Sequence, residues 1–407
     1  MSAHTGDARR GSPAALRRMN VERVLETLRH SGTLSQAELA RQAGLSRSAV
    51  NALVRSLVAD GTVILSPGQN GRESAVSLAA ASGTVVALDV GHQHVHAALF
   101  SFADGIRRDD AVDIVQTDDP TADIERIVEL VHRLLASAAT DAADMRGVCV
   151  ALRTPYEAAS RTVSGSGIWH RWRGFDIETA LTTRLELPVS IDNDSNLAAL
   201  AEWTWGDAHG QDGLLYVNCS NGIGAGYILG GRVYGGTHGL ASEFGHLVVD
   251  DRGALCNCGN GGCLNAVASA RAIRLKLAAA GDPRASILDV IAAARAGNLP
   301  CRRLLGESGR AIGFALAHAV KLMDPSVIVV GGDLTASGPM LLEPMRAELS
   351  ANVLETVAGP PEIRRGIQRS DVSLLGCVAR VLAETGTGMS ELAPWMLMPT
   401  APAKEKA

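Results

Sequence analysis

Three cysteines fall within eight residues, Cys256, Cys258 and Cys263, and His246 precedes the first of them by ten. One His and three Cys make a complete tetrahedral shell for Zn2+ with no position left for water, the pattern of a structural site. Gly259, Gly261 and Gly262 let the backbone turn tightly enough to aim closely spaced thiolates at one ion. A disulfide between Cys256 and Cys258 would close so small a ring that its geometry is strained. Residues 243–263 are therefore read as the fixed point of the chain, holding one structural Zn2+ on His246, Cys256, Cys258 and Cys263.

A second set of chemistry-bearing residues lies near the N-terminus. Arg47, Ser48, Asn51 and Arg55 share one face of a helical period whose other face is Val50, Leu53, Val54 and Leu57. Arg and Asn on such a face match guanine and adenine edges in a major groove. The elements that position them are legible. Val21, Val24, Leu25 and Leu28 give a helix starting near Asn20, Ser35-Gln36-Ala37-Glu38 is a capping box, and Ser46 caps the third helix. Helix, short turn, helix predicts a helix-turn-helix. The strands 61–65 and 74–78 follow as a hairpin wing with Arg72 at its tip. This assigns residues 19–80 to a winged helix-turn-helix DNA-binding domain and 1–18, with four Arg, to a flexible basic arm.

At 407 residues the chain predicts two or three domains, and 46% hydrophobic residues supply sizeable cores. Residues 1–82 hold ten Arg, no Lys and six acids, a balance of +4, while the rest balances at −9. A basic module on an acidic body suggests a nucleic-acid reader joined to something else. Seven cysteines, three of them clustered, do not form a secreted disulfide framework. With no signal peptide and no membrane-spanning apolar run, a cytoplasmic location is expected. From residue 84 strands alternate with helices, at 84–91, 94–101, 147–153, 188–191, 213–219 and 326–330, with a helix over 121–139, predicting α/β layers. The stretch 393–407 reads as a disordered tail.

A winged helix joined to these strands, together with Asn193-Asp194, the Glu243-x-Gly-His246 turn and the CxCGxxGC cluster, resembles the ROK family of repressors, open reading frames and kinases, in its regulator branch. The resemblance implies a two-lobed actin-like (ribonuclease H-like) sugar-kinase fold over residues 84–392, with a hexose held in the cleft. Carried over residue by residue, the implied ligand contacts are Asn193, Asp194, Glu243 and His246, with Arg153 at a position where some members place an arginine. Trp169 and Trp172 fall on a loop that borders the sugar in relatives, with a core or interface role as the equal alternative.

Two departures shape the expected function. Where family kinases carry a DxGGT phosphate turn, this chain has Asp89-Val90-Gly91-His92-Gln93, and side chains there obstruct a phosphate. The second Gly-rich turn, Asn221-Gly222-Ile223-Gly224-Ala225-Gly226, and Gly331-Gly332 are kept. The carboxylate expected after the last cysteine is Asn265, which removes a charge-assisted hydrogen bond and leaves the sugar's identity open. The resemblance thus implies a regulator, a repressor and not an enzyme, acting as a homodimer or homotetramer on operator DNA in response to a sugar. The alternatives are a bifunctional ATP-dependent sugar kinase with a DNA-binding head, and a regulator controlled by a protein partner.

Overall fold

Helical spacing of Val and Leu in the first eighty residues gives way to β-branched runs, and the architecture changes with it. The computed structural model describes residues 13–59, 62–67, 74–79, 82–91, 94–114, 119–140, 142–163, 172–354, 359–386 and 394–397. The chain falls into two compact units, Met1–Ser82 with Leu382–Leu392, and Gly83–Val381 with Ala393–Ala407.

In the first unit, α1 (Pro13–Ser31) leads to β1 (Leu34–Ser35), α2 (Gln36–Gln42), α3 (Arg47–Ala59), β2 (Val63–Pro67) and β3 (Ser74–Leu78). Helix α1 starts inside the segment expected as a flexible arm. Proline suits a first helical position, whose amide has no partner in any case, and Ala-Ala-Leu continues it. Ser35 and Glu38 form the expected capping box on α2. Strand β3 pairs antiparallel with both β2 and β1, giving three strands where the sequence predicted two. Val24, Leu28, Leu39, Val50, Val54, Val63 and Val76 close one core, each 2% exposed or less.

The second unit contains one pattern twice. Its first half runs β4 (Thr84–Val90), β5 (His94–Ser101), β6 (Ile106–Asp113), α4 (Pro120–Ser137), β7 (Met145–Leu152), β8 (Tyr156–Glu157), β9 (Thr162–Val163), α5 (Ile177–Leu185) and β10 (Val189–Asn193). Then come α6 (Asp194–Trp205), β11 (Gly213–Cys219), β12 (Ile223–Leu229), β13 (Arg232–Val233), α7 (Leu264–Ala268), α8 (Ala270–Ala279), α9 (Ile287–Arg295), α10 (Leu299–Met323), β14 (Val327–Gly331), α11 (Pro339–Asn352), β15 (Glu362–Arg365) and α12 (Val372–Glu384). The two five-stranded sheets run β10-β7-β4-β5-β6 and β15-β14-β11-β12-β13. In each, three parallel strands join an antiparallel hairpin, so β11 repeats the place of β4, and β14 that of β7. The parallel strands β4 and β14 are buried along their whole length, as their unbroken apolar runs require. This doubled arrangement is the two-lobed actin-like fold.

Glycines set the closest approaches between layers. A Cβ at Gly226 of β12 would sit 2.5 Å from the Ser195 carbonyl oxygen of α6, and one at Gly376 of α12 would sit 1.9 Å from that of Leu197. Part of the expected tail is ordered: Pro394–Leu397 form a 3-10 turn with Met396 fully buried. Its carbonyls accept hydrogen bonds from two arginines, Arg107 to Met396 at 2.9 Å and Arg369 to Leu397 at 2.8 Å. Both arginines pair with Asp371. No helix among the described residues is long and apolar enough to cross a membrane.

Candidate functional site

The cysteine cluster is assembled by a short 3-10 turn, Phe244–His246, and the loop that ends at α7. The loop closes on itself through bridges between Val248 and Cys263 and between Leu255 and Gly261. Gly259 and Gly262 take positive φ, +97° and +69°, and a Cβ at Gly262 would overlap the Asp250 carbonyl. The four ligand atoms of His246, Cys256, Cys258 and Cys263 lie within 4.8 Å of one another. His246 Nδ1 is 3.6 Å from Cys256 Sγ, and Cys258 Sγ is 3.5 Å from Cys263 Sγ. A tetrahedron with metal–sulfur bonds of about 2.3 Å has edges of roughly 3.8 Å, so the donor set fits a Zn2+-sized ion. Burial and the neighbouring sulfurs push the Cys263 thiol up to about 12, a resistance to shared negative charge that a divalent cation removes. Burial lowers His246, keeping it neutral as a ligand must be.

The other ring nitrogen of His246, Nε2, lies 3.8 Å from Glu243 Oε2. Glu243 therefore shares the turn with the metal set and faces the cleft group. Burial, and next the charge of Asp194, push its carboxyl up to about 7. Asp194, first residue of α6, is raised to about 6 by burial and by Asp89, against the pull of Arg153. The cap of α6 is Asn193. Asn193 Oδ1 accepts from Ser195 N at 2.9 Å, and its amide donates to the Leu152 and Thr154 carbonyls at 3.4 and 3.3 Å. Asn193 thus ties the end of β7 to the start of α6 and aims Asp194.

Asn265 is also committed locally. Its Oδ1 accepts from the Ile223 amide of the Gly-rich turn at 3.1 Å. A Cβ at Gly245 would meet the Ile223 carbonyl at 2.0 Å, so the Glu243–His246 turn packs backbone to backbone on that loop. Arg153, just past β7, makes a two-pronged ion pair with Asp89 at the end of β4, Nε to Oδ1 at 3.1 Å and Nη2 to Oδ2 at 2.8 Å. Ser373 Oγ, in the first turn of α12, stands 3.4 Å from Asp89 Oδ2. Sequence reasoning missed Asp89, Ser373 and Asp333 as members of this group. Asp89 and Asp333 were signalled only by lying in or beside the Gly-containing turns. Trp172 is fully buried in the first-lobe core, edge-on to Phe175 at 6.5 Å, and is a packing residue. Trp169, His92 and Gln93 lie outside the described residues.

In the first unit, α3 buries Val50, Leu53, Val54 and Leu57. Arg47, Ser48, Asn51 and Arg55 are all exposed. Ser46 Oγ accepts from the Ala49 amide at 3.2 Å, making the expected cap. Arg55 Nε reaches back to the Asn51 carbonyl at 3.3 Å, leaving the Asn51 amide free of that contact. Arg72 lies outside the described residues.

The pattern of the ROK family matches residues 85–384, and that of winged helix-turn-helix DNA-binding matches 20–64. The xylose repressor of Bacillus subtilis is 25% identical over 352 residues, covering 86% of this chain and 91% of its own. The glucokinase of Halalkalibacterium halodurans is 33% identical over 220 residues, covering 50% of this chain and 67% of its own. Among solved structures, a ROK family transcriptional regulator described as a homolog of the E. coli MLC protein superposes with a TM-score of 0.76 at 23% identity, over 91% of this chain and 97% of its own.

Proposed function

The chain belongs to the ROK family, and from that premise we propose that it is a sugar-responsive transcriptional repressor that binds operator DNA through its winged helix-turn-helix. The observation that carries the reading is that one chain holds both a recognition helix with Arg47, Ser48, Asn51 and Arg55 exposed and a cleft group of carboxyls around Asp194 and Glu243. On the DNA, Arg47 and Arg55 suit guanine edges, Asn51 suits adenine, and Ser48 suits a base or a phosphate. Arg72 of the wing is assigned to the minor groove. A homodimer or homotetramer in the cytoplasm would present paired heads to half-sites about one helical turn apart.

In the cleft, Asp194 and Glu243 accept hydroxyl hydrogens from a polyol, and near neutrality each also spends part of its time as a donor. Asn193 positions Asp194, while Arg153 and His246 Nε2 complete the ligand set. The metal assigned to His246 Nδ1, Cys256, Cys258 and Cys263 is Zn2+, one per chain, which supplies a cross-link and no reaction step. Holding His246 from one side orients the nitrogen beside Glu243, so the structural site supports the ligand site. A sugar shifts the balance between DNA-bound and released forms only by its different affinity for the two.

A second reading, a sugar phosphotransferase carrying a DNA-binding head, has Asp194 in its favour as a base raised to about 6, and a glucokinase among its relatives. One experiment separates them. The purified zinc-loaded protein is melted against a panel of sugars with and without ATP, and operator binding is followed by fluorescence anisotropy in the same buffers. A sugar that raises the melting midpoint without ATP and releases the operator supports the regulator. ATP-dependent formation of sugar phosphate sinks the non-enzyme reading, and absence of any operator complex sinks the regulator.

A further inference from the structure

We propose that Arg153 is a built-in counter-cation, holding at Asp89 the place that a divalent metal carrying a nucleotide would need, and so barring this end of the cleft to phosphoryl transfer. The inference rests on the regulator reading above only for what the bar accomplishes. The geometry stands by itself.

Asp89 ends the first strand of the first sheet, beside the parallel strand β7, and Asp333 follows the turn after β14, which repeats β7 in the second sheet. Sheets of this kind gather ligands outside the carboxyl ends of their parallel strands. Asp89 is 6% exposed, so its charge is removed from water and needs a partner. Arg153 supplies it with both of the donors that can engage one carboxylate in a plane, at 3.1 and 2.8 Å. Ser373 completes the shell from α12. The guanidinium also lies in the fields of Asp194 and Asp333. One cation thus pairs with the carboxylate of β4 and adds its field to those of α6 and of the turn after β14.

A Mg2+ or Mn2+ ion binds carboxylate oxygens directly and retains a demanding geometry. Here both oxygens of Asp89 already accept N–H bonds, and the donor group carries a like charge that no physiological pH removes. A nucleotide brought in with its metal would have to displace the guanidinium from both oxygens of Asp89. Arginine does by charge what side chains in the phosphate turn were expected to do by bulk. The chain thereby keeps Asp194 as a polyol ligand while losing the partner that would make it a base for transfer.

The test measures free Mn2+ by electron paramagnetic resonance during titration of the zinc-loaded, full-length protein. The proteins are wild type, Asp89→Asn, Arg153→Ala, Arg153→Met and Arg153→Ala with Asp89→Asn. Wild type is expected to take up no Mn2+ at millimolar concentration, with or without ATP. Arg153→Ala, or the better-filling Arg153→Met if the alanine variant does not fold, is expected to take up about one equivalent, lost again in the double variant. Mn2+ binding by wild type that Asp89→Asn abolishes overturns the proposal. So does a folded Arg153 variant that binds none, or one whose binding survives Asp89→Asn. Operator binding, read on the same samples, fails or holds independently of the Mn2+ result.

Discussion

Residue by residue, what was legible were the groups whose partners are near in sequence. His246 and the three cysteines span eighteen residues, and their spacing alone singled out the cluster whose donor atoms the fold brings together. Arg153 and Asp89 are 64 apart, and nothing in either segment announces the pair. The hydrogen bond of Asn265 was hidden in the same way: the missing carboxylate was visible, but the bond from the Ile223 amide depends on a loop 42 residues earlier. Glu202 of α6 was missed altogether, since it reads as an ordinary helical Glu. It is fully buried, accepts one bond from the Ile367 amide, and its Oε2 has no partner among the described residues. Burial, with Asp207 adding, pushes its carboxyl from 4.5 up to about 7. The folded state therefore holds a proton that the unfolded chain releases between these values. Stability from this group is full below the unfolded value and is lost as pH rises through about 7, a change on the order of 3 kcal/mol. Glu202→Gln should flatten the fall of the melting midpoint between about pH 5 and 8. Parallel slopes for variant and wild type would remove Glu202 from the account.

Among the elements, the recognition helix was readable because its two faces alternate with a period the sequence states outright. Ser46 and the Ser35–Glu38 box mark two helix starts by local chemistry. Substituting Asn51 or Arg47 by Ala should weaken operator binding by about 1–3 kcal/mol and relax base preference at the contacted position, as seen by anisotropy over a set of operator variants. A uniform loss across all variants would assign those residues to phosphates instead. The crossing of α6 and α12 was not readable, because Gly376 matters only through a neighbour far along the chain. A Cβ there meets a backbone oxygen at 1.9 Å, which cannot swing aside as a side chain would. Gly376→Ala should lower stability by about 1–3 kcal/mol, read as an earlier urea midpoint with little change in slope. An unchanged midpoint would mean that α12 shifts freely on α6.

At the scale of the whole molecule, the class of fold came through early, as alternating strands and helices behind a basic head, while the internal doubling of the two sheets came only with the family resemblance and not from the residue pattern. The doubling is written in strand order, and strand order is a property of pairing between distant segments. The assignment of segments to units was also beyond reach, because it needed the destination of residues after 381. If the metal set supports the ligand site, Cys258→Ser should lose about one equivalent of zinc by elemental analysis and with it most of the sugar-induced rise in melting midpoint. Retention of both would dissociate the two sites. The first unit is built from two remote pieces of chain, Met1–Ser82 and Leu382–Leu392, and a Cβ at Gly386 would lie 2.5 Å from the Thr62 side chain. During synthesis those pieces are separated by roughly 300 residues, about 15–60 s of elongation at about 5–20 residues per second. The DNA-reading head is thus begun before the α/β body and completed after it. A nascent chain that has not yet reached Gly386 lacks the piece that packs on Thr62, so the head acquires its last internal contacts only after the whole α/β body has been made.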